Sequence, residues 1–251
     1  MDGGMLGQVR PPQSIFKASA QKLSEIGFKV PFNDGRVYVY SKCGPDTDLV
    51  MGQLQQAPAV DVTNDIALVI PHQGEVLDKE LQVTIPTGHA TFAANAYEGG
   101  WLLIDSGTAE GLTRMIKSNT AFTTGASATV TFKFRDQLDE VVAVSNTVKI
   151  LANPYNGIIV NAIVTGMGSN TGRVLGVVPI DVTKAYYFWL LVRGIGPGIS
   201  DAGAAYKAGT LLTAEGPKVQ IMTAFGDPVI GHAASHVASG DTSFLVYYTC
   251  E

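Results

Sequence analysis

Charge is what this sequence has least of. Asp, Glu, Lys and Arg make up 16% of its 251 residues, against roughly 25% in ordinary globular domains. Basic clusters are missing too. No run of Lys or Arg stands out and the net charge is −5, so the electrostatic footprint of a nucleic-acid binder is absent. Long apolar runs are equally scarce. The longest, Tyr186 to Val192, is far short of the ~18 residues a membrane-spanning helix needs. The first residues, MDGGMLGQVRPPQS, lack a basic region followed by an apolar core, and no secretory signal is expected. Cysteine is nearly absent. Cys43 and Cys250 stand near opposite ends, which excludes a disulfide framework and fits synthesis in a reducing cytoplasm.

Hydrophobic residues and glycine fill the space that charge leaves, at 46% and 28 residues. A chain with so few charges has little to spread over a solvated surface, so other subunits are expected to cover part of it.

The dominant pattern from Arg36 onward has period two and is rich in β-branched and aromatic residues. RVYVYSKC, IALVIP, LQVTIP, ATFAANA, GWLLID, ATVTFKF, TVKILA and GIIVNAIV read as strands. A second group follows: GRVLGVVPIDV, YYFWLLV, GTLLT, KVQIMTA, VIGHA and SFLVYYT. In ATVTFKF, Val130, Phe132 and Phe134 face one way and Thr129, Thr131 and Lys133 the other. One wet face suits an antiparallel sheet. Turn signals such as NDG, CGPD, EGG and NPYNG separate the strands. The expected fold class is all-β, with mainly antiparallel sandwich or barrel-like domains. The expected layout is an arm and short helix over 1–30, a β-rich domain over 31–155 and a second over 156–251. No helical segments lie between strands, which excludes βαβ units.

One helix is expected. Ser14 can cap it, Phe16, Ala20 and Leu23 fall at i, i+4 and i+7, and Gly27 can end it. Ile15, Phe16, Leu23 and Ile26 are the candidate interaction residues. With the arm before them they are expected to bind a neighbouring surface and to add little to the core.

Four stretches invite a chemical reading. GIGPG after Val192 follows a strand, as a phosphate loop would, but Pro197 breaks the glycine spacing and no good helix follows. The expected role is a turn at the end of a buried strand. WLLIDSGTAEG resembles the active-site loop of aspartic proteases, with Asp105 as the carboxylate. Such enzymes need two carboxylates sharing a proton, so one copy would require a homodimer of the retroviral type. RVLGVV at Arg173 resembles the segment that packs beside that loop. Gly111 departs from that family's pattern, and no second motif exists. A plain Asp-Ser-Gly turn is the competing reading. His232 and His236 in HAASH are four apart, but in a strand that is about 13 Å, too far for one metal. No G-x-S-x-G occurs. No catalytic residue, cofactor or metal is assigned.

Two segments taken together carry a family resemblance. The first is NAYEGGWLLIDSGTAEGLTRMIKSNTA, continuing through VTFKFRDQLDE to ILANPYNGIIV. The second is GVVPIDVTKAYYFWLLVRGIGPG, continuing to IGHA and GDTSFLVYY. The pairing resembles β-rich virion proteins of tailed bacteriophages, marine ones especially, that decorate or cement the capsid. It covers roughly residues 36–251. Leu190-Leu191-Val192 is more apolar than that pattern at the strand end. The resemblance implies a non-enzymatic structural protein on the virion capsid surface, made in the host cytoplasm. It implies the major capsid protein and copies of itself as partners, with a trimer expected, and neither nucleic acid nor membrane. The dimeric aspartic protease using Asp105 is the alternative. A carbohydrate-binding β-sandwich, working through an exposed Trp101, Tyr97 or Tyr155, is a third.

Overall fold

A computed structural model of the chain describes residues 11–58, 68–161, 172–200, 205–222, 229–236 and 243–250. Among them there are sixteen strands and no helix. In chain order these are β1 (Lys29–Pro31), β2 (Val37–Cys43), β3 (Leu54–Gln56), β4 (Leu68–Val69), β5 (Glu80–Ile85), β6 (Trp101–Ile104), β7 (Thr113–Asn119) and β8 (Ala128–Phe134). They continue as β9 (Thr147–Leu151), β10 (Asn156–Val160), β11 (Val174–Val177), β12 (Tyr187–Ile199), β13 (Leu211–Glu215), β14 (Lys218–Ile221), β15 (Gly231–Ala233) and β16 (Ser243–Thr249). The all-β expectation holds, and the sheets are rich in antiparallel pairs.

The domain layout differs from the expected one. One compact unit combines residues 1–59 with 154–251, and residues 60–153 form the other. The chain changes unit at 59/60 and at 153/154, where the expected divisions were 30/31 and 155/156. β2 and β3 belong with the strands that follow residue 154. β2 pairs with β12 from Val37↔Arg193 to Lys42↔Tyr187. That pairing spans about 150 residues, and no local signal announces it.

In this discontinuous unit, β2, β10, β3, β11 and β12 pair in turn, and β12 returns to β2. Five strands thus close a ring, with β10–β2 its one parallel pair. β1 adds to β2. Beyond β12 the sheet continues through β16, β15, β13 and β14. A parallel bridge from Ser200 to Val219 brings β14 back to the end of β12.

Strand alternation divides the core of this unit in two. Val39, Ile158, Leu175, Phe188, Leu190 and Val192 belong to one buried cluster. Tyr38, Tyr40, Trp189 and Leu191 belong to another, with Leu212, Val219, Val246 and Tyr248. The first half of β12, through Val192, is therefore covered on both faces, which is why YYFWLLV reads as a continuous apolar run instead of an alternating one.

The second unit is a closed six-stranded barrel in the order β4-β5-β8-β7-β6-β9, antiparallel throughout. Val130, Phe132 and Phe134 of β8 point into its core. Lys133 on the outer face meets Glu80 of the neighbouring strand at 3.5 Å. Burying such apolar side chains contributes about 1.5–3 kcal/mol each.

ATFAANA is not the expected strand. Phe92 makes a single bridge to Phe122, and residues 94–99 form turns. Asn95 takes a left-handed φ of 64°. The buried amide of Asn119 decides this. Its Oδ1 accepts from the Tyr97 N–H at 2.9 Å, and its Nδ2 donates to the Thr120 and Ala93 carbonyls. A side chain here satisfies backbone groups that a ladder would otherwise serve.

Candidate interaction surfaces

The expected helix over 14–26 is absent. Instead the segment is an irregular strap over the sheet. The Ser14 carbonyl accepts from the Lys17 N–H and Ser14 Oγ accepts from the Phe16 N–H, which makes one turn. Ser19 then exchanges two backbone hydrogen bonds with Tyr187, at 2.9 and 2.8 Å. An isolated helix of this length is marginal, and polar partners on β2 and β12 outcompete it. The indole N–H of Trp189 donates to the Gln13 carbonyl at 3.0 Å. Tyr40 Oη donates to Gln13 Oε1 at 3.3 Å and accepts from the Leu23 N–H at 2.9 Å. Gln13 Nε2 donates to the Lys17 carbonyl. Burial raises the Tyr40 phenol above its ordinary value, and that phenol is a neutral donor near neutral pH.

The four candidate residues do not share a stripe. Ile15 is in the core with Tyr40 and Trp189. Phe16 and Leu23 are exposed, at 60% and 46%, and Ile26 is half-buried. The strap thus has both an inner and an outer side, and the expectation that residues 1–27 add little to the core is corrected for residues 11–27 by Ile15 and Gln13, while the first part of the arm, 1–10, lies outside the described residues. Deleting residues 1–27 is expected to cost about 2 kcal/mol, the worth of one buried aliphatic side chain. That lowers the melting temperature by roughly 4–8 °C. Differential scanning calorimetry of the truncated chain checks it, and an unchanged midpoint would restore the loose-arm picture.

GIGPG is not a turn. β12 runs straight through it, pairing Arg193 to Ile199 with Thr249 to Ser243. Gly194 takes a left-handed φ of 97°, and the other two glycines are there for space. A Cβ on Gly196 would lie 2.2 Å from Leu191 Cδ2, and one on Gly198 would lie 2.6 Å from Val246 Cγ2. The Pro197 carbonyl accepts from the buried Tyr248 hydroxyl at 2.7 Å.

Asp105 follows β6 in the barrel. Its N–H donates to the Thr147 carbonyl at 2.8 Å, and its carboxylate faces Lys149 Nζ at 3.5 Å. Ser106 Oγ and Thr147 Oγ1 are 2.7 Å apart. RVLGVV lies in the other unit, where β11 pairs with β3 and β12. The two segments that resemble a protease pair are therefore built into separate units. His232 lies on β15 with its ring stacked on Tyr247, 5.1 Å between centroids, and His236 follows that strand. Among the described residues, no group of three His, Cys, Asp or Glu is placed to hold a metal ion. Cys43 and Cys250 are buried free thiols. Desolvation pushes their pKa values up to about 11 and about 12, which suppresses the thiolate that nucleophilic chemistry needs.

Of the aromatics considered for sugar stacking, Tyr97 is buried and Tyr155 packs on a core cluster. Trp101 is 42% exposed, on the outer face of the barrel, in register between Met115 and the exposed Leu151.

The exposed apolar side chains are the chief feature left. They include Phe16 and Leu23 on the strap, Trp101 and Leu151 on the barrel, and Ile195, Leu211 and Leu245 on the larger sheet. The sequence signalled the first pair and offered Trp101 among three candidate exposed aromatics; the others alternate with core residues and emerge only once strand register is known. Comparisons of the chain with protein-family models, with curated proteins and with solved structures found no match in any of the three.

Proposed function

We propose that this chain is a structural virion protein that binds and stabilises the capsid surface of a tailed bacteriophage, with the major capsid protein and further copies of itself as partners. The observation that carries the reading is the spread of exposed apolar side chains over two β units that have very few charges. Such a surface suits many weak contacts repeated over a lattice, where multivalency raises the total affinity. The sequence resemblance supplies the kind of lattice. In this reading Asp105 is a turn residue, held by Lys149 and the Thr147 backbone.

Mass spectrometry of purified virions tests it. The chain is expected in hundreds of copies per particle, and recombinant protein should rebind particles stripped of it. Asp105→Asn should rebind as well as the wild type, because no step of the function uses that carboxylate. A pepstatin-sensitive cleavage that disappears in Asp105→Asn would replace this reading with the protease. Absence of the chain from virions would overturn it directly.

A further inference from the structure

We propose that the outward face of β12, β16, β15 and β13 is a docking surface for a second copy of this chain. Strand register sets one row of side chains across all four strands. Ile195 lies opposite Tyr247, Tyr247 opposite His232, and His232 opposite Leu211. Leu245 lies opposite Pro197 in the next row. Ile195, Leu211 and Leu245 are 49%, 49% and 50% exposed.

The inner face of these strands is already full. Leu212, Ala233, Val246 and Tyr248 fill it and are buried. An antiparallel sheet with one face on a core usually turns polar residues outward. This one turns outward a second apolar row, centred on a stacked His–Tyr pair whose planes differ by 18°.

The patch extends past the sheet. Gly52 lies close to the side chains of Ile199 and Pro197, and its neighbours Val50 and Met51 are 47% and 52% exposed. Ile195, Leu211, Leu245, Val50 and Met51 are thus each about half exposed. Monomers seldom expose apolar patches larger than roughly 300–600 Å², and a standard interface takes about 800 Å² per partner, so a face of this kind is covered most readily by a partner that brings an apolar face of its own.

Charge selects the occupant. The unit formed by residues 1–59 and 154–251 carries 11 Lys and Arg and 11 Asp and Glu, and is formally neutral. Residues 60–153 carry 6 against 11, the whole of the net −5. A strongly charged partner would find no complementary field on the neutral unit. A second copy meets no repulsion there, and an apolar sheet face packing on its own counterpart is self-complementary. Two such faces interdigitate at about 10 Å.

The proposal shares with the capsid reading the expectation that copies associate, and it is tested without capsids. Sedimentation velocity of the full chain should show a dimer, the state that a face packing on its own counterpart closes, in place of the trimer expected from the sequence. Leu245→Glu and Ile195→Glu should each weaken association by about tenfold or more, since both put a charge at the centre of a desolvated contact. Trp101→Glu, on the outer face of the barrel, should keep the wild-type mass. If a glutamate variant fails to fold, Leu245→Thr and Ile195→Thr keep strand-forming residues at the same positions and should still weaken association. A wild type that is monomeric at the highest soluble concentration overturns the proposal. So does an oligomer whose mass none of the β12 and β16 variants changes. A monomer that still binds capsids would sink the docking face and leave the capsid reading standing, whereas an oligomer dispersed by Leu245→Glu that ignores capsids would do the reverse.

Discussion

Trp189→Ala is expected to destabilise the discontinuous unit by about 3–5 kcal/mol, the range for truncating a buried aromatic. Trp189 is fully buried and packs edge-on against Tyr40, with ring centroids 5.0 Å apart. Phe28 meets it from another side at 6.5 Å. Its indole also holds the strap through the Gln13 carbonyl. The substitution therefore opens a cavity and releases the strap in one step. Phe188→Ala is the matched comparison. That ring is fully buried too, but on the opposite face of β12 and in the other cluster, and it should cost a similar amount without freeing the strap. Urea denaturation gives both losses, and amide exchange at Ser19 separates them. Its N–H donates to Tyr187, so it should exchange faster in Trp189→Ala than in Phe188→Ala. A loss below 1 kcal/mol at either position would show that the strand is not sandwiched between two cores.

How much of this was legible beforehand depended on the range of the physics. Period-two alternation is local, and it gave the all-β class and the inward face of β8 correctly. The discontinuous unit was not legible, because β2 and β12 are joined by a register between residues about 150 positions apart. The GIGPG stretch misled for a related reason. Glycine and proline favour turns when only neighbours in sequence are weighed, yet here Val246 and Tyr248 of β16 press against Gly196 and Gly198, and Leu191 of the same strand crowds Gly196. The 14–26 stripe misled because its period was real while its competitors, the Tyr40 and Trp189 polar groups, lay elsewhere in the chain. The candidate surface followed the same rule. Phe16 and Leu23 could be named from spacing, whereas the row from Ile195 to Leu211 draws one residue from each of four strands.

Gly176→Ala is expected to cost about 3 kcal/mol or more, at the upper end of what overpacking does. Gly176 sits in β11, where the ring of five strands closes onto β12. A Cβ there would lie 2.1 Å from the Leu191 carbonyl oxygen and 3.0 Å from its carbon. Those are backbone atoms of a strand fixed by β2 on its other side, so they cannot swing away as a flexible side chain could. The φ of 154° adds strain for any residue with a Cβ. Gly35 separates the two causes. Its φ is 84° and an added Cβ would meet nothing within 4 Å, so Gly35→Ala carries the backbone strain alone, about 1 kcal/mol. Denaturant midpoints of the two variants should therefore differ by about 2 kcal/mol or more. Equal losses would mean that β11 yields to the extra methyl group, and the ring would then be a looser closure than the Leu191 contact implies. A large loss at Gly176 alone would identify that contact as the point where the five-stranded ring is held shut.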